Sequence, residues 1–491
     1  MSLLKTTMKA MLVNLSEEQK ALLNNLMLVF CTAIRYSFKR LLEGQLIGDL
    51  EKVVAHKYNL NIRQAKDAVE SARQTIASQH ELVKLYHGNY IKKVEALEKV
   101  LKNPRLSDRK HKSLTAKLEK RQRRLDYWTA YLTSKTFPPV TFGTKEMFLK
   151  RCKGLITKQE WNERRNNRIY SRGDKSKGGN PNLRVVFKDG ASYLEISTLE
   201  KTVNNRAVKV LMPIYLPQKL SKKTGKVNGV QYRKLFMDSL ERGEAYQVEL
   251  IKRDGKYYAH ITFEEMEAKV IYMGHVNMIG IDTNPDGFAL TKIDTFGNYQ
   301  GHTYLKQHEL TFCRSNRRTN LCGELVAQVK DAAIVRQCGA AAEDLKFKDD
   351  RDVKTKLARV SSQFVYATLL LMLERSCRRN GIEYIKVKPQ YTSRIGQYKY
   401  CHQYGLDVHN GAALVIARRS YGFKEAVPKL LQDTLVPKKK LIAFKGLNEW
   451  SQWSEITRQI SKLFKKRKEV NTPGLWLERR KLLLGLLKIN D

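Results

Sequence analysis

The sequence predicts a mixed α/β protein: a β-rich module carries an inserted helical block, and a third domain of alternating strands and helices follows. The length of 491 residues is typical of about three domains. Residues 61–134 show a helical pattern, whereas several stretches after 183 alternate with period two. The pair 245–252 and 256–263 around Asp254-Gly255 is typical of a β-hairpin.

The N-terminal segment predicts a strand over residues 6–13, followed at once by a long helix. Ser16 with Gln19 three residues later is typical of a capping box, so the helix is expected to begin there and to run through Leu42. We expect the first strand to complete the later β-rich module, with the helical block inserted between the two parts.

The charge of the chain indicates its partner. Lys+Arg 91 against Asp+Glu 49 gives a net charge of +42, an excess that disfavours a compact state unless a polyanion such as nucleic acid neutralises it. An anionic membrane is the alternative, but the sequence shows no apolar run of about eighteen residues and no signal-peptide pattern. We therefore expect a soluble intracellular protein. The seven cysteines include no C-x-x-C pair, which predicts neither a disulfide framework nor a zinc ribbon.

Two basic segments are candidates for gripping nucleic acid. Residues 108–124 hold eight Lys or Arg against two acids, and residues 145–172 mix cations with Trp161 and Tyr170. Cations beside planar rings are typical of phosphate binding and base stacking. For the first segment, a merely solvated helix face is the alternative.

The third region begins with an apolar strand that ends on Asp282, and turn-forming residues follow it over 284–287. A short strand of small residues ends at Glu343, and a long helix is expected over 354–379. Residues 382–387 predict another strand, residues 391–404 predict a polar, tyrosine-rich loop, and Asp407 opens a further helix.

The acids Asp282, Glu343 and Asp407, with His409, offer a possible metal site at one sheet edge. Two hard cations about 4 Å apart need carboxylate oxygens and a substrate phosphate, and strand ends collected at one edge provide such ligands. The alternative for Asp282 is that it merely starts a turn. Together, in a chain of this charge, the acids resemble a ribonuclease H-type nuclease core.

Four segments carry a closer resemblance: GIDTNPDGFAL, AAEDLKF, TSRIGQYKY and YGLDVHNGAALVIARRSYGF. They resemble the RuvC motifs of the transposon-encoded OrfB/TnpB nucleases and of their descendants, the compact type V CRISPR effectors. The resemblance implies RNA-guided cleavage of double-stranded DNA beside a short adjacent motif, with one RuvC site that uses Mg²⁺ or Mn²⁺. It also implies a prokaryotic, cytoplasmic protein that joins the nucleoid when bound to DNA.

The resemblance also implies a division of the chain. The expected parts are a first wedge segment over 1–30, a helical recognition domain over 31–136, a β-barrel wedge part over 137–270, a RuvC domain over 271–423 and a basic tail of unknown role over 424–491.

Matching motif to motif gives Asp282 the place of the first catalytic acid and Glu343 that of the second. The third motif is shifted, because counting back from Ala412-Ala413 puts His409 in the acid's place and Asp407 two residues earlier. The third ligand therefore stays open between these two residues. We expect Asp407 to join Asp282 and Glu343 as the direct metal ligand, because Mg²⁺ prefers oxygen, and His409 to act as a ligand or proton-transfer group. Where many relatives have a zinc ribbon, this chain has Thr392-Ser-Arg and a solitary Cys401, so we expect a target-strand loop without zinc near 391–405.

The residues predicted to bind nucleic acid are all cations of these segments. They are Arg35, Lys39, Arg121, Arg123, Arg124, Arg164, Arg165, Arg168, Arg394, Lys399, Arg418 and Arg419. Two other functions remain: a guide-dependent DNA binder without cleavage, and an unguided transposase or resolvase with the same core. The intact Asp282 and Glu343 disfavour the first, and the large basic helical block disfavours the second.

Overall fold

The fold is described from a computed structural model, which covers residues 3–104, 106–204, 206–218, 229–345 and 363–464. The chain divides into two compact units, Leu3–Glu265 and a second that begins at Met266. The predicted start of a helix at 354 and the basic segments from 465 onward lie outside the described residues.

The N-terminal unit is built on one seven-stranded sheet with the order β2-β6-β7-β1-β5-β4-β3. Its strands are β1 (Leu3–Leu12), β2 (Arg168–Ser171), β3 (Leu183–Lys188), β4 (Ala191–Lys201), β5 (Ala207–Tyr215), β6 (Gln247–Arg253) and β7 (Lys256–Met266). As predicted, the N-terminal strand β1 belongs to this sheet, where it lies between β7 and β5. Among the described residues the sheet ends on β2 at one edge and on β3 at the other, so the segment predicted as a β-barrel forms a sheet with two edges.

The helices of this unit are mostly inserted between β1 and β2. They are α1 (Glu17–Leu42), α2 (Ile47–Lys57), α3 (Ile62–Leu101), α4 (Asp108–Thr133), α5 (Lys145–Cys152) and α6 (Lys158–Arg165), with α7 (Tyr232–Glu241) after β5. The predicted capping box is present, since Ser16 and Gln19 bond each other's backbone amides. Helix α1 passes without a break through the predicted boundary between 30 and 31.

Helix α1 is long and apolar enough to cross a membrane, although the sequence analysis found no such run. About half of its most apolar stretch is buried. Leu23, Met27, Phe30 and Ile34 of this helix belong to the core formed with α3 and the sheet. In this structure α1 is therefore a core helix.

The second unit contains a five-stranded mixed sheet with the order β10-β9-β8-β11-β12. Its strands are β8 (Asn277–Asn284), β9 (Gly287–Asp294), β10 (Tyr299–Lys306), β11 (Gly339–Glu343) and β12 (Tyr384–Val387). The first three form an antiparallel meander, whereas β11 runs parallel to both β8 and β12. This arrangement places the carboxyl ends of β8, β11 and β12 at the same edge.

Helices cover both faces of this sheet. Helix α8 (Ser315–Val335) and α9 (Gln363–Arg379) share one apolar core with β8, and α10 (Val408–Ser420) packs on the other face. Gly280 of β8 touches α10, because a Cβ there would lie 1.9 Å from the carbonyl oxygen of Ala413. Gly396 likewise meets the backbone of Gly411.

The segment predicted as a polar loop near 391–405 is helical, which corrects that prediction. Two short α-helical turns, Thr392–Ile395 and Cys401–Tyr404, flank a π-helical turn over Gly396–Tyr400. Ile395, Tyr398 and Tyr400 are buried in the core under α10. The tyrosine-rich composition concealed this burial, since each ring is apolar over most of its area.

The part of the predicted tail that the structure describes is folded. Short helices Lys429–Leu435 and Leu441–Lys445 precede α11 (Glu449–Phe464). Trp453 of α11 is fully buried, and its Nε1 donates to the carbonyl oxygen of Glu425 at 2.6 Å. Residues 424–464 therefore belong to the core of the second unit.

Candidate active site

Asp282 lies inside β8, whereas the sequence predicted it at an exposed strand end. The strand continues to Asn284 because Pro285 and Asp286 alone form the hairpin loop to β9. The Asp282 side chain is buried, and its Oδ2 accepts a hydrogen bond from Asn284 Nδ2 at 3.1 Å. The same oxygen lies 3.2 Å from Nδ1 of His409.

Glu343 ends β11, as predicted, and the strand register places it beside Asp282. Ala342 pairs with Ile281 in the parallel ladder, so the two acids occupy the next equivalent position on neighbouring strands. Equivalent positions of parallel strands face the same side of a sheet, here the side that α10 covers. The β8–β11 ladder therefore brings the first two predicted site residues together.

The surroundings of Glu343 favour the protonated form of its carboxyl group. Burial is the main cause, and the nearby charge of Asp282 adds to it, so the pKa of Glu343 is raised to about 7. Thr392 Oγ1 donates to Glu343 Oε1 at 2.5 Å and acts in the opposite direction, as does the charge of Arg419. The sequence analysis did not identify Thr392 as a site residue.

Asp407 and His409 have different roles in the structure. Asp407 is the N-cap of α10: its Oδ1 accepts from the backbone amides of His409 and Asn410 at 2.7 and 2.9 Å, and its Oδ2 accepts from the Asn410 side chain. His409 is about half exposed and turns towards Asp282. Its hydrogen bond to Asp282 is the main cause of a raised His409 pKa.

A fourth acid, Asp286, stands beside this group and was assigned only to a turn. Tyr304 Oη donates to Asp286 Oδ1 at 2.8 Å, and the Tyr304 ring centre lies 5.9 Å from that of His409. Burial raises the pKa of Tyr304, and the charges of Asp286, Asp282 and Asp407 raise it further. An Asp at position 286 is explained by the Asn-Pro-Asp-Gly turn alone, so the sequence does not indicate that Asp286 lies at the site.

The donor set suits a hard divalent cation that retains water. Within the described ranges, neither Asp282 nor Glu343 forms an ion pair with Lys or Arg, and no three His, Cys, Asp or Glu side chains are gathered closely enough to hold a metal ion alone. Mg²⁺ is commonly bound by one or two carboxylates, several waters and a substrate phosphate. The residues therefore fit an ion completed by water and substrate.

The predicted nucleic-acid-binding cations separate into two groups. Lys39, Arg123, Arg124, Arg164 and Arg394 are exposed. Others bond within the protein. Arg35, Arg121 and Arg419 donate hydrogen bonds, Arg35 to Arg165 O and Asn166, Arg121 to Lys93 O and Arg419 to Lys388 O. Ion pairs join Arg168 to Glu249, and both Lys399 and Arg418 to Glu425. Lys399 and Arg418 thus neutralise a buried acid, a role that their sequence context did not indicate.

The family of the chain is shown by its N-terminal unit. A family model described as "SSO2105 N-terminal domain" matches residues 5–271, more than half of the chain. The chain belongs to this family. The SSO2105-type domain ends within a few residues of Glu265, where the first compact unit ends. No curated protein matches the chain.

Several solved structures are similar to the chain at low identity. A Cas12f1–sgRNA–target DNA complex is 12% identical over 84% of this chain and 99% of that chain, with a TM-score of 0.37. T. thermophilus RuvC with a Holliday junction is 13% identical over 30% and 94%, with a TM-score of 0.23. A Cas12i1 R-loop complex after target DNA cleavage is 10% identical over 88% and 55%, with a TM-score of 0.24.

Proposed function

We propose that the chain is an RNA-guided DNA endonuclease with a single RuvC-type site in its second unit. The observation that carries the proposal is the pairing of Asp282 and Glu343 on adjacent parallel strands, without Lys or Arg ion pairs in the described chain. The strand order β10-β9-β8-β11-β12 puts β8 beside β11, which brings the two acids to the same sheet edge. The net charge of +42 supports nucleic acid as substrate and partner.

In this proposal Asp282 and Glu343 hold Mg²⁺, or Mn²⁺ in its place, and no zinc is required. A divalent ion bound there would supply an activated water and stabilisation of the charge on the phosphate. Asn284 and His409 orient Asp282, Thr392 orients Glu343, and Asp407 fixes the first turn of α10 that carries His409. His409 would move a proton near the scissile phosphate.

The N-terminal unit supplies the wedge and recognition functions in this proposal. Exposed cations of α4, such as Arg123 and Arg124, would grip phosphates of the guide RNA or of its duplex with DNA. Base pairing would read the target sequence, and the protein would read a short adjacent motif and the shape of the duplex.

The experiment begins with the RNA that copurifies with the intact protein. We expect one discrete structured RNA, and we expect that replacing its variable end redirects Mg²⁺-dependent cleavage to a matching double-stranded DNA. Guided binding without any cleavage in Mg²⁺ or Mn²⁺ would favour the DNA-binding alternative. Cleavage by protein free of RNA would favour an unguided transposase or resolvase.

A further inference from the structure

The N-terminal unit contains a half-open cavity of about 620 Å³, which is lined by α1, α3, α6, the loop before α5, and strands β1, β2, β6 and β7. Its cations are Lys9, Arg35, Arg164, Arg165, Arg168 and Arg253. The described residues that line it include no Asp or Glu. Lys9 and Arg253 were not among the predicted nucleic-acid-binding residues.

Several of these cations have no carboxylate partner among the described residues, although Arg35 donates to Arg165 O and Asn166, and Lys9 and Arg165 lie over the rings of Tyr258 and Trp161. In the described part of the chain, Lys9, Arg35 and Arg165 have no carboxylate within ion-pair distance, and the Nε of Arg165 is buried without a hydrogen-bond partner. Burial, followed by the charge of Arg165, lowers the pKa of Arg35. The half-buried cations without a carboxylate partner in the described chain, Arg35 and Arg165, would be stabilised by an anion that enters the cavity.

The loop that forms one wall has an unusual backbone. Gly143 has a φ of +95° and the adjacent Thr144 has a φ of +77°, which is rare for a β-branched residue. A Cβ on Gly143 would lie 2.6 Å from Cγ of Arg165, so the loop presses directly on this arginine. Such strain is concentrated at sites that clamp ligands.

The size and the walls of the cavity select the ligand. A volume of about 620 Å³ exceeds the need of a single phosphate and lies in the usual range of small-molecule sites. Apolar and aromatic side chains, Ile34, Phe142, Ile251 and Tyr258, complete the lining. The ligand should therefore combine an apolar ring with more than one phosphate.

We propose that this cavity binds one or two consecutive nucleotides of a nucleic-acid strand, with the phosphates on its arginines and a base against its apolar wall. A free nucleoside triphosphate offers the same chemistry and is the other source to be tested. This inference rests on the proposed function only for the class of ligand, nucleic acid. It requires neither a guide RNA nor DNA cleavage.

The experiment measures binding of fluorescent RNA and DNA tetranucleotides to the full-length protein, freed of copurifying RNA, in EDTA at about 150 mM salt. Arg164→Gln combined with Arg253→Gln should weaken binding by about tenfold or more, because charge-assisted phosphate contacts are lost. The matched control, Lys188→Gln with Arg206→Gln, removes two exposed cations of the same unit outside the cavity and should change binding little.

Thr141→Trp tests the cavity without changing charge, because Thr141 lines it and a large ring would fill it. It should reproduce the loss, with the thermal unfolding profile as the check on folding. If the cavity variants and the control variant change binding equally, the proposal is wrong. If ATP binds more tightly than either tetranucleotide, the ligand is a free nucleotide and not a nucleic-acid strand. If the protein binds tetranucleotides but cleaves no DNA, the proposed function fails and the nucleotide site is still supported.

Discussion

Glu425 and Glu343 are acids of the same unit with opposite surroundings. Glu425 is fully buried, and its two oxygens accept hydrogen bonds from Lys399, Tyr400 and Arg418 at 2.6 to 2.8 Å. Glu343 accepts from Thr392, and in the described chain it has no ion pair with a cation. The fold therefore satisfies Glu425 with two cations, whereas Glu343 has no Lys or Arg ion-pair partner in the described chain, as the proposed metal site requires.

The largest expected effect is on cleavage. Glu343→Gln and Asp282→Asn each remove a carboxylate of the site, and we expect target cleavage to fall by more than the roughly 100-fold that loss of an outer-shell partner can cause. Guided binding should persist, because the exposed cations are unchanged. Asp331→Asn, an exposed acid of α8, is the control. Near wild-type cleavage by either site variant would refute the nuclease assignment.

The converse variant, Glu425→Gln, should affect stability first. It leaves Lys399 and Arg418 without their charged partner, and loss of one member of a buried ion pair typically costs about 3–5 kcal/mol. Denaturant unfolding of the full chain measures this. Glu455→Gln, which breaks a surface pair with Arg458, should cost about 1 kcal/mol or less. Equal losses of unfolding free energy in Glu425→Gln and Glu455→Gln would show that Lys399 and Arg418 stabilise Glu425 no more than a surface ion pair does.

A smaller effect concerns pH in metal-free protein. The pKa of Glu343 is raised to about 7 in the folded state, from a usual value of 4.5. Its contribution to stability is therefore complete below about pH 4.5 and is lost as the pH rises through about 7, which amounts to at most about 3 kcal/mol. In EDTA, Glu343→Gln should show a smaller loss of unfolding free energy between pH 5 and pH 8 than the wild type. Parallel profiles for the two proteins would contradict this.

The smallest expected effect separates Asp407 from His409. His409→Ala removes the side chain bonded to Asp282 and should lower cleavage by roughly 10–100-fold, the range for an outer-shell partner. Asp407→Ser keeps a good N-cap and should cut within a few-fold of wild type, whereas Asp407→Ala should cost about 1 kcal/mol of stability. Cleavage in Mg²⁺ and Mn²⁺, with binding as control, measures the difference. A large loss in Asp407→Ser would instead identify Asp407 as a direct ligand.

Local sequence signals predicted much of the fold. The Ser16 capping box, the Asp254-Gly255 hairpin and the strand ending at Glu343 depend on neighbouring residues, and the structure contains all three. The sequence also predicted Asp282 and Glu343 at one sheet edge, and the β8–β11 ladder brings them side by side.

The errors arose where long-range partners decide the outcome. The buried tyrosines of 391–404 and the fully buried Glu425 become favourable only when α10 and Trp453 cover them, and no local pattern reports this. Asp407 could not be separated from His409 because both lie at the start of the same helix, Asp407 as its N-cap and His409 in its first turn. Only the three-dimensional path of α10 brings the histidine to Asp282.

The glycine contacts of α10 have a consequence for the motions of the second unit. Gly280 and Gly396 bring backbone against backbone on this helix, so no intervening side chain can change rotamer to let the helix slide. Opening of α10 alone would have to separate these direct contacts. We therefore expect the amide protons of β8 and of the buried turns of α10 to exchange with solvent only when the whole unit unfolds, and those of the exposed α4 to exchange much sooner.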